Sequence, residues 1–227
     1  VKAITAVTDK ALELIQPRMT ILLGGGSNVK QLAIRLATLP DLDLTICTPS
    51  ELTRRSCLQL GLNISELDQI KRIDIGFDGC DSVDLQFRAL KSNGGIHTLE
   101  KIYAQAATRY IILTKTERLS SQLDPNIPLT LEVIPAAVPT LCLQIKKLDC
   151  SVTPRMGTAV ASLARTPNGN CLLDCYEKEW SDITTLNDKI SSLNGVVGTS
   201  LFEDYITDVY ALNPDNTIKE IKKGEVL

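Results

Sequence analysis

Four short apolar runs, "MTILL", "LTIC", "IDIGF" and "YIILT", recur through the first half of this chain, separated by polar turns and amphipathic segments. The segment from Val29 carries its apolar residues at Leu32, Ala33, Leu36 and Leu39, which is helical spacing. Residues 3 to 15 do the same at Ala3, Ile4, Val7, Ala11, Leu14 and Ile15, and Pro17 closes them. Strands that alternate with helices join into a mostly parallel sheet through right-handed crossovers, and such sheets hold ligands at the carboxyl ends of their strands. Function is therefore expected in the loops that follow the four runs.

The pattern changes at "DPNIP", residues 124 to 128. Beyond it the spacing predicts strand "LTLEVI", a helix from Val138 to Leu148 and strand "SVTPRM". A hairpin "VASLART" and "CLLDCYE" turning at Asn168-Gly169, a helix "ITTLNDKISSL" and a strand "GVVGTSLF" follow. That order, βαββαβ, is a split βαβ sandwich and makes a second, smaller domain. The segment "DVYALN" is again an apolar strand that can return to the first sheet.

The chain of 227 residues has a net charge of -3, with lysines and arginines scattered along it, so no electrostatic footprint for nucleic acid is expected. No apolar stretch approaches the roughly 20 residues that span a bilayer, and the N-terminal segment is amphipathic, so neither a membrane span nor a signal peptide is expected. Seven cysteines, most of them in apolar runs such as "TLCLQI", read as buried free thiols, and the chain is expected in the cytoplasm. Cys171 and Cys175 have no Cys or His neighbours to complete a zinc site, so no metal is expected.

Two stretches can carry chemistry. "LLGGGSNVKQL" is a strand, a glycine turn and a helix start. Gly24, Gly25 and Gly26, the Ser27 hydroxyl and the Asn28 amide would suit a phosphate there, while a tight turn capped by Ser27 is the plainer alternative. No Gly-Lys-Ser/Thr follows, and Val29 occupies the place of a third glycine, so this is neither a Walker loop nor a dinucleotide fingerprint. The second stretch is "GFDGCDSVDLQFRALKSNGGIHTLEKI", residues 76 to 102. Asp78 and Asp81 belong to the loop after "IDIGF", and Asp84 fits a turn residue. Lys91 precedes Gly94 and Gly95, whose bare backbone can approach a ligand, and Thr98 can cap a helix with Glu100 in its first turn. A helix N-terminus favours a carboxylate, so Glu100 reads either as a base or as a capping residue. His97, the chain's one histidine, is given no role.

Taken in order, these pieces resemble the type A ribose-5-phosphate isomerases along nearly the whole chain. GGGSN stands for a "GTGST"-like loop, DGCDS for "DGADE" and KSNGGIHTLEKI for "KGGGA-LTREKI". PLTLEVIP, NGNCLLD and GVVGTSLF match "PLPVEVIP", "NGNVILD" and "GVVTVGLF". The resemblance implies an α/β fold: a Rossmann-like, mostly parallel domain over 1–126 plus 207–227, with an inserted ferredoxin-like α+β domain over 127–206. It implies an aldose-ketose isomerase acting on D-ribose 5-phosphate and D-ribulose 5-phosphate, no metal or organic cofactor, and a homodimer or homotetramer. By the same resemblance Glu100 matches the general base, Asp81 and Lys91 match residues at the reacting carbonyl, and Asp78 matches the ring-opening carboxylate. Ser27 and Asn28 fall at phosphate-contacting positions.

The chain also departs from the family pattern. Gly25 replaces a threonine, Ser92 and Asn93 replace glycines, Thr114 stands at an aspartate and Glu117 at a lysine. Lys115, which in an extended segment would face the same side as Glu117, is the candidate replacement cation. A diverged binder of a sugar phosphate, or an enzyme for a different phosphosugar, stays open beside the isomerase.

Overall fold

A computed structural model describes residues 6–224 and shows an α/β protein. The chain runs through α1 (Ala6–Glu13), β1 (Thr20–Leu23), α2 (Ser27–Leu36), β2 (Thr45–Cys47), α3 (Glu51–Gln59) and β3 (Ile73–Asp78). Next come β4 (Ser82–Asp84), β5 (Ala89–Leu90), α4 (His97–Gln105), β6 (Ala107–Lys115) and β7 (Leu119–Ser120). The smaller βαββαβ unit is β8 (Leu129–Val133), α5 (Val138–Lys146), β9 (Ser151–Pro154), β10 (Cys171–Tyr176), α6 (Ile183–Ser191) and β11 (Val196–Thr199). It is followed by β12 (Leu201–Phe202), β13 (Asp208–Leu212) and β14 (Ile218–Lys222). The first predicted helix is observed as α1; Ala3 and Ile4 lie outside the described residues.

Two compact units divide the chain. One holds the residues up to Cys80, Leu99–Leu119 and those from Asp204; the other holds Asp81–Thr98 and Ser120–Glu203.

In the first unit a six-stranded sheet has the order β14-β13-β6-β3-β1-β2, parallel except for the β13–β14 pair. Its central strands are buried on both faces, which is why they read as continuous apolar runs. From α2, Val29, Leu32, Ala33 and Leu36 pack into a core with Ile21, Leu23, Ile75, Phe77, Ile111 and Leu113. Each of the valine, leucine, isoleucine and phenylalanine side chains contributes about 1.5–3 kcal/mol by leaving water. Parallel pairing brings the carboxyl ends of β1, β2, β3 and β6 to one edge, so the glycine turn and the Asp78 loop emerge side by side. "DVYAL" does return to this sheet as β13, and "IKEIK" adds an antiparallel edge strand that the sequence reading missed.

In the second unit an antiparallel sheet has the order β11-β8-β10-β9 over a core of Leu129, Leu131, Val133, Leu141, Ile145, Leu173, Trp180, Ile183 and Ile190. Two predicted elements differ. "GVVGTSLF" is two strands, because the Ser200 N–H turns to the Thr130 carbonyl and its hydroxyl accepts the Thr130 N–H, ending β11 before β12 joins β5. "VASLART" forms only isolated bridges, Met156 to Leu163 and Arg165 to Cys171; Val160 is exposed, so no buried face holds a strand there.

Candidate functional site

The turn after β1 is built around Asp78. Gly24 N–H donates to the Phe77 carbonyl, and Asp78 Oδ1 accepts from Gly25 N–H at 2.8 Å and Gly79 N–H at 2.7 Å. A Cβ on Gly24 would fall 2.0 Å from the Asp78 carboxyl carbon, so only glycine fits there. Tyr110 donates to Asp78 Oδ2 at 2.6 Å. Burial above all, then the Asp78 and Glu100 charges, push the Tyr110 hydroxyl well above its ordinary range, so it stays a donor. Asp78 is itself 1% exposed, a buried carboxylate met by three donors.

Gly26 adopts φ +101° and is the N-cap residue of α2, so Ser27 is the first helical residue and not the cap that the sequence allowed. The Ser27 side chain is exposed at that N-terminus. Asn28 Nδ2 donates to the Leu113 carbonyl at 3.3 Å, tying the turn to the end of β6. There Thr114 is buried, while Lys115 and Glu117 are exposed, Glu117 in a single 3-10 turn over Thr116–Arg118. Arg118, which the sequence reading passed over, donates to the Cys80 carbonyl at 2.5 Å.

Within the second unit, Asp81 and the segment after Lys91 form one arrangement. Asp81 Oδ2 accepts the N–H groups of Ser92 at 2.7 Å and Asn93 at 2.9 Å, and Oδ1 accepts Asn93 Nδ2 at 2.6 Å. The Lys91 ammonium is buried, with the Phe202 ring centroid 5.7 Å away. Gly95 has φ +65°, and a Cβ on it would come within 2.7 Å of Leu172 Cδ1. Gly94 is exposed, leaving bare backbone next to it. Asp84 is buried and serves the fold, accepting from Gln86 N–H, Arg88 N–H and the Arg88 guanidinium.

Glu100 lies in the first turn of α4 and is 6% exposed, a carboxylate removed from bulk water at the end of a helix where the dipole favours negative charge. The helix begins at His97, which places Thr98 inside it and not at its cap. His97 is fully buried. Glu132 Oε1 accepts from Thr166 Oγ1 at 2.9 Å and Asn170 Nδ2 at 2.8 Å. Burial alone would raise the Glu132 carboxyl, but Thr98, Asn170, Thr166 and the His97 charge together outweigh it and hold it below its ordinary value.

Four of the predicted residues thus stand at buried or backbone-anchored positions, Asp78, Asp81, Lys91 and Glu100, while Lys115 is solvent-exposed. Carboxylates in such settings can take and return protons, and a buried ammonium can stabilise a developing oxyanion. Tyr110, and Arg155, whose guanidinium donates to the Ser92 carbonyl beside Lys91, were not found from sequence. Their partners are set by strand pairing, and no local pattern signals them. Among the described residues no three His, Cys, Asp or Glu side chains gather as a metal site, and no helix is long and apolar enough to cross a membrane.

Comparison with known proteins gives a consistent result. A family model described as ribose 5-phosphate isomerase A (phosphoriboisomerase A) matches residues 45–216. The chain is 31% identical over 225 residues to a ribose-5-phosphate isomerase A of Synechococcus sp. (strain WH7803), covering 97% of this chain and 94% of that one. It is similar to the structure of ribose 5-phosphate isomerase A from Methanocaldococcus jannaschii, with TM-score 0.89 and 26% identity over 96% of each chain. A D-ribose-5-phosphate isomerase solved in complex with phospho-erythronic acid superposes with TM-score 0.90 and 25% identity, again over 96% of each chain.

Proposed function

The chain belongs to the ribose 5-phosphate isomerase A family, and on that premise we propose that it interconverts D-ribose 5-phosphate and D-ribulose 5-phosphate through an enediol. The observation that carries the reading is Glu100, a carboxylate withdrawn from water in the first turn of α4, at the position the motif order gives to the base. In the open-chain aldose Glu100 takes the proton from C2. The electrons form the C1–C2 double bond and the C1 carbonyl oxygen becomes an enediolate oxygen. Glu100 then returns the proton to C1 as the ketone forms at C2, and the second proton passes from the C2 hydroxyl to the C1 oxygen. Atoms and charge balance within the substrate, so the step calls for no redox partner.

Asp78 is assigned to opening the sugar ring, and Lys91 with Asp81 to the oxygens whose charge develops. Ser27, Asn28 and the backbone of Gly24, Gly25 and Gly26 are assigned to the phosphate, with Gly94 and Gly95 at the sugar and Lys115 as the added cation. The relative solved with phospho-erythronic acid supports this reading, because that compound joins a phosphate to a carboxylate, an anionic planar group like an enediolate. A homodimer or homotetramer in the cytoplasm is proposed with it; seven free thiols suit a reducing compartment.

The test is a direct assay of ribulose 5-phosphate formation from ribose 5-phosphate, with ribose as control. Turnover of the phosphate ester alone supports the proposal. Binding of ribose 5-phosphate without turnover would instead establish the diverged binder that Thr114 and Glu117 suggest, and turnover of ribose at equal efficiency would remove the phosphate assignment.

A further inference from the structure

We propose that Arg155 is a positioning residue for Lys91 and Asp81, acting through the peptide between Ser92 and Asn93. The inference rests on the isomerase reading above. Arg155 is held first by Asp174: Nε donates to Oδ2 at 2.8 Å and Nη2 to Oδ1 at 2.5 Å. The same Nη2 donates to Thr130 Oγ1 at 2.9 Å, and Thr130 Oγ1 donates in turn to Asp174 Oδ1 at 2.7 Å. Arg155 directly follows β9, and paired residues of two other strands, Thr130 of β8 and Asp174 of β10, thereby fix the plane of its guanidinium. The remaining nitrogen, Nη1, donates to the Ser92 carbonyl at 2.8 Å and more weakly to the Asn93 carbonyl at 3.5 Å.

The other side of the same segment faces Asp81. Ser92 and Asn93 present consecutive N–H groups to one carboxylate oxygen while the Ser92 carbonyl points at the cation. The Ser92–Asn93 peptide, held by an anion at its Asn93 N–H and by a cation at its Ser92 carbonyl, has one orientation, and the Ser92 N–H ties the preceding peptide to the same carboxylate oxygen. The Ser92 hydroxyl fixes it further, donating to the Pro128 carbonyl at 2.5 Å and lying 3.0 Å from Ser200 Oγ. Lys91 immediately precedes Ser92 in the chain, and its own N–H donates to the Ser200 carbonyl at 3.0 Å. Where the family pattern has glycines, this chain has side chains that lock the segment, and Arg155 supplies the contact from the opposite side. Releasing Arg155 frees the Ser92 carbonyl, and the peptide can then rotate its Asn93 N–H away from Asp81. Both the direction of the Lys91 backbone and the oxygen that Asp81 presents are then lost.

Arg155→Lys tests this, since it keeps a cation for Asp174 but cannot serve Asp174, Thr130 and Ser92 at once. The expected result is a kcat at least tenfold below wild type, a KM within threefold of wild type, and an unchanged cooperative unfolding transition. In a Lys91→Ala background the same change should add less than a twofold loss, because both act on one step. A folded Arg155→Lys with kcat within twofold of wild type overturns the inference. Should Arg155→Lys not fold, Arg155→Gln combined with Asp174→Asn removes both charges together and is held to the same kcat criterion. Failure of both to fold assigns Arg155 to the fold alone and also overturns it. Full activity of Lys91→Ala would count against the assignment of Lys91 itself, which separates failure of the underlying reading from failure of the positioning role.

Discussion

Tyr110 stands opposite Gly76 in the β3–β6 ladder, and its hydroxyl reaches past that glycine to donate to Asp78 Oδ2 at 2.6 Å. A Cβ on Gly76 would lie 3.0 Å from the Tyr110 ring, so the small residue makes room for the ring that reaches the carboxylate. Tyr110→Phe should cost about 1.5–3 kcal/mol, the range for a hydrogen bond to a charged group, measured by urea unfolding. The raised Tyr110 hydroxyl also sets a sign at high pH. The unfolded tyrosine loses its proton near 10 and the folded one holds it, so this contribution to stability is full below 10 and is lost as pH rises above it. The phenylalanine variant should show a shallower alkaline loss; an identical alkaline profile would show that Tyr110 does not titrate in this way.

Glu100→Gln should fold normally and still bind ribose 5-phosphate, with turnover lower by at least about a hundredfold, the scale of losing a general base. Unaltered turnover would remove Glu100 from the proton transfer, and loss of folding would leave it as a helix-start residue only.

Glu132 links β8 to the hairpin around Asn170, and its carboxyl is held below the ordinary 4.5. A depressed folded value contributes stability above 4.5 that is lost as pH falls through the lower folded value. Glu132→Gln should therefore destabilise the protein by about 1–3 kcal/mol at neutral pH, because hydrogen bonds to a charged acceptor become bonds to a neutral one, and flatten the acid limb of its stability curve. Thermal unfolding from pH 3 to 7, as a rough span around that range, reads both effects.

Glu117 is exposed in its 3-10 turn at the end of β6, where the family pattern has a lysine. If it opposes the substrate dianion, Glu117→Lys raises kcat/KM for ribose 5-phosphate by about tenfold, equal to about 1.4 kcal/mol. Lys115→Ala should lower it. No change in the Glu117 variant, with the wild type active, transfers the cationic role to Lys115.

The sequence by itself determined the layers and the order of the pieces. Short apolar runs bounded by turns and alternating with helical segments read as strands buried on both faces, the spacing at Val29, Leu32, Ala33 and Leu36 reads as a helix packed on such a sheet, and the motif order named Asp78, Asp81, Lys91 and Glu100. Tertiary structure decided which groups those residues meet. The Tyr110 donor to Asp78 depends on the register of two strands far apart in the chain, and the Arg155 contact to Ser92 depends on Asp174 and Thr130 arriving from two other strands. It also decided that "GVVGTSLF" breaks at Ser200, because that residue's bonds to Thr130 exist only once β8 lies alongside. Local patterns record what a residue must bury; partners are fixed by pairing across long separations, where hydrogen-bond geometry selects among side chains that composition leaves equivalent.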